Sequence, residues 1–190
     1  MKLAFFGGTF DPPHKGHEMI IEHCSLLFDQ LLIMPNRISP EKKDKPPVLQ
    51  NHRINMLDII IAENNADNVK IDTFEIYSER DNYTYLTIKY LIQNYNFSDL
   101  YMIVGQDQLS NLSNWYNVKF ILDNVKIVCF NRRDNMYENS KISDNVKYIP
   151  FDCSFSSSEI RKKIRNNIEL KYETINDKVH TYIENNNLYK

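Results

Sequence analysis

Six short apolar runs, each of strand length, alternate along the chain with stretches whose apolar residues recur at helical spacing. The runs lie at residues 2–6, 31–34, 69–76, 100–104, 125–130 and 146–151. Between them Met19, Ile20, Cys24 and Leu27 share one helical face, as do Ile54, Leu57, Ile60 and Ile61, and then Leu86, Tyr90 and Leu91. Strands that are apolar nearly throughout must be covered on both sides. The alternation therefore predicts an α/β chain, a Rossmann-like, doubly wound parallel sheet with helices on both faces. Helical patterns over 156–168, where Ile160, Ile164 and Ile168 form a stripe, and over 176–188 predict an all-helical C-terminal end. The polar segments 36–47 and 131–144 read as surface loops. A length of 190 residues supports one sizeable core, and the reading is a single domain over 1–190.

Composition removes several classes of function. A formal net charge of -2 provides no field to gather a polyanion, and no nucleic-acid reader motif is present, so nucleic acid is not an expected partner. Cys24, Cys129 and Cys153 are odd in number and sit in apolar surroundings, which predicts reduced thiols in a cytoplasmic setting. The apolar run before Gly7 is too short for a signal segment or a membrane span, so no membrane partner is expected either. A homo-oligomer is left open.

The chemistry concentrates in Gly7-Gly8-Thr9-Phe10-Asp11-Pro12-Pro13-His14-Lys15-Gly16-His17, which follows the first strand run and opens the first helix. Glycines at such a junction let backbone N–H groups approach a ligand, and the helix N-terminus adds partial positive charge. Phosphate is the implied ligand. The spacing fits neither a Walker loop nor a dinucleotide turn. His14 and His17, three residues apart, can project toward one phosphate. Attack on an α-phosphate builds charge on its oxygens, and fixed donors there lower the barrier without a covalent step. The bland alternative is a Gly/Pro turn with two surface histidines, and the Gly-Gly-Thr-Phe run weighs against it. His23, His52 and His180 complete no metal-ligand pattern with the pair, so no protein metal site is expected.

This segment resembles the T/H-x-G-H nucleotidyltransferase superfamily, and its longer form is similar to the nicotinate (nicotinamide) mononucleotide adenylyltransferase family. The resemblance continues through Met34-Pro35-Asn36, Lys42, Arg53 with Met56-Leu57, Tyr83-Thr84 and Thr87, Gly105 with Asp107, Trp115, Ser156-Ser157 and Ile160-Arg161, covering nearly the whole chain in order. It implies an enzyme of NAD biosynthesis that joins ATP, accompanied by Mg2+, to a pyridine mononucleotide, with a moderate preference for the nicotinate form. His14 and His17 would be catalytic. Gly7, Gly8, Thr9, Phe10, Gly105, Asp107, Ser156, Ser157 and Arg161 would hold ATP, and Lys42, Thr84, Thr87 and Trp115 the mononucleotide.

Taken alone, several of these residues have plainer readings. Asp107 could cap a helix, Trp115 could pack in the core, Thr84 and Thr87 could cap or face solvent, Lys42 could be a solvated loop residue, and Ser156 with Glu159 fits a capping box. Two positions depart from the family pattern: Glu41 stands where His is common, and Leu86 where Asp is usual. The rival readings are another enzyme of the superfamily, such as a phosphopantetheine adenylyltransferase or a cytidylyltransferase, and a non-catalytic dinucleotide-sensing module.

Overall fold

Each of the six apolar runs contributes one strand to a single sheet. In the computed structural model, which describes residues 1–37, 47–79, 81–131, 145–153 and 155–190, these are β1 Lys2–Gly8, β2 Gln30–Pro35, β3 Val69–Ile71, β4 Asp99–Gly105, β5 Lys126–Asn131 and β6 Val146–Pro150. All neighbours pair in parallel, in the order β3-β2-β1-β4-β5-β6. The helices are α1 Lys15–Ser25, α2 Gln50–Asn64, α3 Thr84–Asn94, α4 Gln106–Asn111, α5 Val118–Asn124, α6 Ser157–Arg165 and α7 Asp177–Asn185. Strand residues alternate between two cores. Ala4, Phe6, Leu31 and Ile33 meet Ile20, Ile21 and Cys24 of α1, Leu57 and Ile60 of α2, and Val179 of α7. Leu3, Phe5, Leu32 and Met34 meet Ile88 and Leu91 of α3 and Ile121 of α5. Burying each such side chain contributes about 1.5–3 kcal/mol, and covering both faces is what a parallel sheet requires.

This is the α/β, Rossmann-like architecture that the alternation predicts. The chain runs outward from β1 to β3, then crosses back through α3 to β4 on the other side of β1. Strand order therefore reverses between β1 and β4, whose pairing brings Phe6 opposite Ile103. Their carboxyl ends flank the crevice in which such sheets bind ligands.

Several local expectations are corrected. β3 stops at Ile71 instead of reaching residue 76, because Asp72 Oδ1 accepts the Phe74 N–H at 2.9 Å and turns the chain. α1 buries Ile20, Ile21 and Cys24, while Met19 and Leu27 are exposed, Leu27 lying beyond the helix end. α2 buries Arg53, Met56, Leu57 and Ile60, and α3 buries Thr87, Ile88 and Leu91, so both inward faces are rotated from the apolar stripes read in the sequence. α6 ends at Arg165, where Asn167 takes a left-handed backbone (φ 52°), and Ile168 is exposed. α7 begins at Asp177 because Asn176 caps it, accepting from Lys178 N and Val179 N. Residues 38–46 and 132–144, most of the two segments read as loops, lie outside the described residues.

Candidate active site

The site starts where β1 leaves the sheet. Asn36 N–H donates to the Gly8 carbonyl at 2.9 Å, holding the ends of β1 and β2 together. Phe10 then adopts a left-handed backbone (φ 49°), and its ring lies so close to Gly8 that a Cβ there would come 2.9 Å from Phe10 Cζ. The ring itself is buried, edge-on to Phe6 and to His17 with centroids 5.5 and 5.0 Å away. Phe10 thus packs beside His17 and also lines the cleft.

His14 is the N-cap of α1 and His17 its third residue. The His14 backbone N–H donates to His17 Nδ1 at 3.2 Å, which leaves the proton on His17 Nε2. The two imidazoles stack with centroids 3.8 Å apart. Burial holds the His14 ring down at about pKa 4, and burial with the neighbouring His14 holds His17 well below its usual value. Both rings are therefore neutral at pH 7, and each offers one N–H donor. His14 Nδ1 is buried without a partner among the described residues. Gly16 explains itself: a Cβ there would overlap Cys153 Sγ and lie 3.0 Å from His14 Cε1 and Nδ1.

Arg53, 1% exposed, fastens this loop from inside. Its guanidinium donates to the carbonyls of Thr9 and Asn36, both at 2.7 Å, and of Val48 and Arg37, both at 3.3 Å. Buried Asp11 accepts from Val48 N–H at 3.3 Å and from the Tyr189 hydroxyl at 2.8 Å. Burial and Asp11 push the Tyr189 phenol upward, so it stays a donor. Arg161 reaches across from α6 to the Asp11 carbonyl at 2.6 Å and its carboxylate at 3.6 Å. The start of α6 is tied down as well. Ser156 accepts from Glu159 N–H, Ser157 donates to the Pro12 carbonyl at 2.8 Å, and Ser158 accepts from Arg161. The capping box and the placement beside the loop between β1 and α1 hold together. From this end Ser156, Ser157, Ser158, Arg161 and the exposed Arg165 line the cleft.

The opposite wall comes from β4, α4 and α3. Gly105 caps α4, and a Cβ on it would meet nothing within 4 Å, so no protein atom demands glycine there and the space above it is open to a ligand. Asp107 is exposed in the first turn of α4 and is not its cap. Trp115 is half-buried, packing partly on the second core and partly lining the cleft. Thr84 lines the same wall. Thr87 does not: it is 1% exposed and donates to Glu75 Oε1 at 2.5 Å. Lys42 and Glu41 lie outside the described residues. Leu86 is half-buried on α3.

One cleft of about 1840 Å3 joins Gly7–Phe10, His14, His17, Gly105, Asp107, Thr84, Trp115, Ser156, Ser157 and Arg161. Its size exceeds that of an ordinary small-ligand pocket and suits two substrates end to end. Asn36, quoted for the resemblance, also lines it, as do Glu75, Asn82, Arg165 and Tyr189, which were missed from sequence. Tyr189 in a polar tail carries no signal. An Asp-x-x-Glu pair ending an apolar run is a weak one.

Comparison with known proteins fits this geometry. Residues 5–163 match the family model described as cytidylyltransferase-like. A Bacillus licheniformis protein named probable nicotinate-nucleotide adenylyltransferase is 32% identical over 191 residues, covering 100% of this chain and 98% of its own. The Bacillus subtilis nicotinate-nucleotide adenylyltransferase is 30% identical over 191 residues, with the same coverage of each chain. Solved structures of the Plasmodium falciparum nicotinic acid mononucleotide adenylyltransferase superpose with a TM-score of 0.76. The one complexed with APC is 26% identical and covers 99% of this chain and 96% of its own. The one complexed with NaAD is 25% identical and covers 99% and 97%.

Proposed function

The chain belongs to the cytidylyltransferase-like family and, within it, to the nicotinate-nucleotide adenylyltransferases, and from that premise we propose that it condenses ATP with nicotinate mononucleotide. The observation that carries the proposal is the stacked pair of neutral imidazoles at the head of α1, facing one cleft with room for both substrates. A 5′-phosphate oxygen of the mononucleotide attacks the α-phosphorus of ATP. The new P–O bond forms as the bond to the β-bridging oxygen breaks, and that electron pair leaves with pyrophosphate. No base is needed, because a phosphate monoester is already largely ionised at neutral pH.

His17 Nε2–H and the His14 ring donate to the oxygens on which charge develops. Backbone N–H groups of Gly8 and Thr9, and of Ser156 and Ser157 at the start of α6, serve the phosphates, with Arg161 holding the α6 end against Asp11. Gly105 and Asp107 receive the adenosine ribose, where a carboxylate accepts hydroxyl hydrogen bonds. Thr84 and the face of Trp115 receive the pyridine, and Lys42 assists the phosphates. Mg2+ enters with ATP. Among the described residues no three His, Cys, Asp or Glu side chains form a metal cage, and Mg2+ needs none when triphosphate oxygens and waters ligate it. A single domain acting in cytoplasmic NAD biosynthesis completes the reading. Among the described residues, no helix is long and apolar enough to cross a membrane. The test is pyrophosphate release with ATP, Mg2+ and each pyridine mononucleotide in turn, with phosphopantetheine as control. Product from nicotinate mononucleotide is expected, and no product from either pyridine mononucleotide overturns the proposal.

A further inference from the structure

Among the described residues, Glu75 is the one carboxyl on the cleft wall that the reaction above leaves without a task. It sits in the turn between β3 and α3, 8% exposed, and lines the cleft beside Asn82, Tyr83 and Thr84. Its Oε1 receives the Thr87 hydroxyl at 2.5 Å, and its backbone carbonyl receives the Asn82 side-chain amide at 2.8 Å. Among the described residues no Lys or Arg pairs with it. Such a carboxyl is held at the end of the cleft where the pyridine is placed, and the two pyridine mononucleotides differ there by one unit of charge.

We propose that Glu75 is a specificity-determining residue: uncharged, it admits a mononucleotide with an anionic ring substituent, and ionised, it repels that substituent and favours a neutral one. The inference rests on the pyridine-mononucleotide reading given above. Burial, with the nearby Asp72, pushes the Glu75 carboxyl up to about 7, and the Thr87 hydroxyl opposes that rise. The surrounding charges leave this intact. Asp72 keeps its carboxylate turned to the hydroxyls of Tyr90 (3.1 Å) and Tyr95 (2.6 Å), phenols that burial holds above their usual range and therefore neutral. The guanidinium of Arg37, just after β2, donates to the Glu79 carbonyl, and its backbone N–H donates to Asn82 Oδ1. Asp107 faces in from α4, and His14 and His17 are neutral on the far wall.

The readout is the ratio of kcat/KM for nicotinate mononucleotide to that for the amide, measured on the full chain with saturating ATP from roughly pH 6 to 9. Both substrates carry the same phosphate, so titrations of phosphate and ATP cancel in the ratio. For the wild type the ratio should fall as pH rises through about 7. The size should be about ten-fold, what one charge across a pocket of intermediate dielectric supplies. Glu75→Gln keeps an acceptor for Thr87 but has no charge, so its ratio should stay flat and exceed the wild-type ratio at high pH by the same factor. Thr87→Val removes the hydroxyl that favours the ionised carboxyl, so its midpoint should move to higher pH, a shift that a merely structural role does not produce. A flat wild-type ratio, a Glu75→Gln ratio that still falls, or an unmoved Thr87→Val midpoint overturns the assignment. If Glu75→Gln does not fold, the Thr87→Val midpoint decides alone. No product from either mononucleotide would instead sink the proposed function itself.

Discussion

Gly16→Ala tests whether the geometry behind the two histidines controls the reaction. Gly16 is the second residue of α1 and buried, and in an open helix alanine would be favoured there by about 1 kcal/mol. Here the added methyl meets Cys153 Sγ at a distance real Cβ atoms do not show, and His14 Cε1 and Nδ1 at 3.0 Å. Overpacking of this kind costs about 1–3 kcal/mol, so the net change is a loss of roughly 0–2 kcal/mol in stability. Activity should suffer more. The His14 ring has to move, and because it stacks on His17 at 3.8 Å the pair moves together. A misplacement of about 1 Å in reacting groups costs on the order of 10²-fold in rate. The assay is kcat for pyrophosphate release alongside Tm, on Gly16→Ala and on the same variant with Cys153→Ala. Removing Sγ clears the worst overlap but not the contact with His14, so the double variant should recover its Tm and only part of its kcat. Wild-type kcat in the single variant, or a double variant no better than the single, would refute the reasoning.

His17→Ala should lower kcat about 10²- to 10³-fold with a far smaller change in the KM for ATP, since a donor aimed at developing charge acts mainly in the transition state. More than about a tenth of wild-type kcat at unchanged Tm would remove His17 from the mechanism. Trp115→Ala should raise the KM for the mononucleotide more than that for ATP, and the fluorescence of the single tryptophan should change when mononucleotide binds. Equal weakening of both substrates with a lowered Tm would assign Trp115 to the core alone. Burial lowers His14 from 6.5 to about 4, so the unfolded chain takes up the proton first. The His14 contribution is present above pH 6.5 and is lost as pH falls from 6.5 toward 4, by about 3 kcal/mol, with His17 acting in the same direction. Urea unfolding of wild type against His14→Gln across that range measures it, and parallel pH profiles would contradict it.

The sheet was legible because strand burial on both faces writes itself as unbroken apolar runs, and the turn from β1 into α1 because the glycines and prolines between Gly7 and His17 break both strand and helix patterns. Helix faces were harder. In α3 the eye joins Leu86 to Tyr90 and Leu91, yet Thr87 turns inward because buried Glu75 receives its hydroxyl, a partner twelve residues away that no local period reports. In α2 the inward face includes Arg53, a residue that hydropathy assigns to solvent and that backbone carbonyls from three segments hold inside. The part played by Tyr189 depends on the last residues of the chain folding back 178 positions to Asp11, which spacing cannot show.

The placement of charge around the cleft bears on how the imidazoles work. The left-handed backbone at Phe10 costs about 1–3 kcal/mol and persists only if its surroundings over-determine it. They do: Arg53 grips the Thr9 carbonyl just before it, and Asp11 just after it is held by Val48 N–H, Tyr189 and Arg161. Both cations thus hold the protein's own loop, Arg53 from inside and Arg161 from the wall of the cleft, which it also lines. The groups at the head of α1 are neutral donors of fixed direction. A neutral donor binds the resting triphosphate less strongly than a cation in the same place would, yet it still meets charge as that charge grows on the oxygens it faces. Stabilisation that is weak in the ground state and strong in the transition state raises kcat, whereas equal binding of both lowers only KM. On the proposed mechanism, burial that keeps His14 and His17 neutral is therefore part of the catalytic arrangement, and the buried arginine that fixes the loop is its structural counterpart.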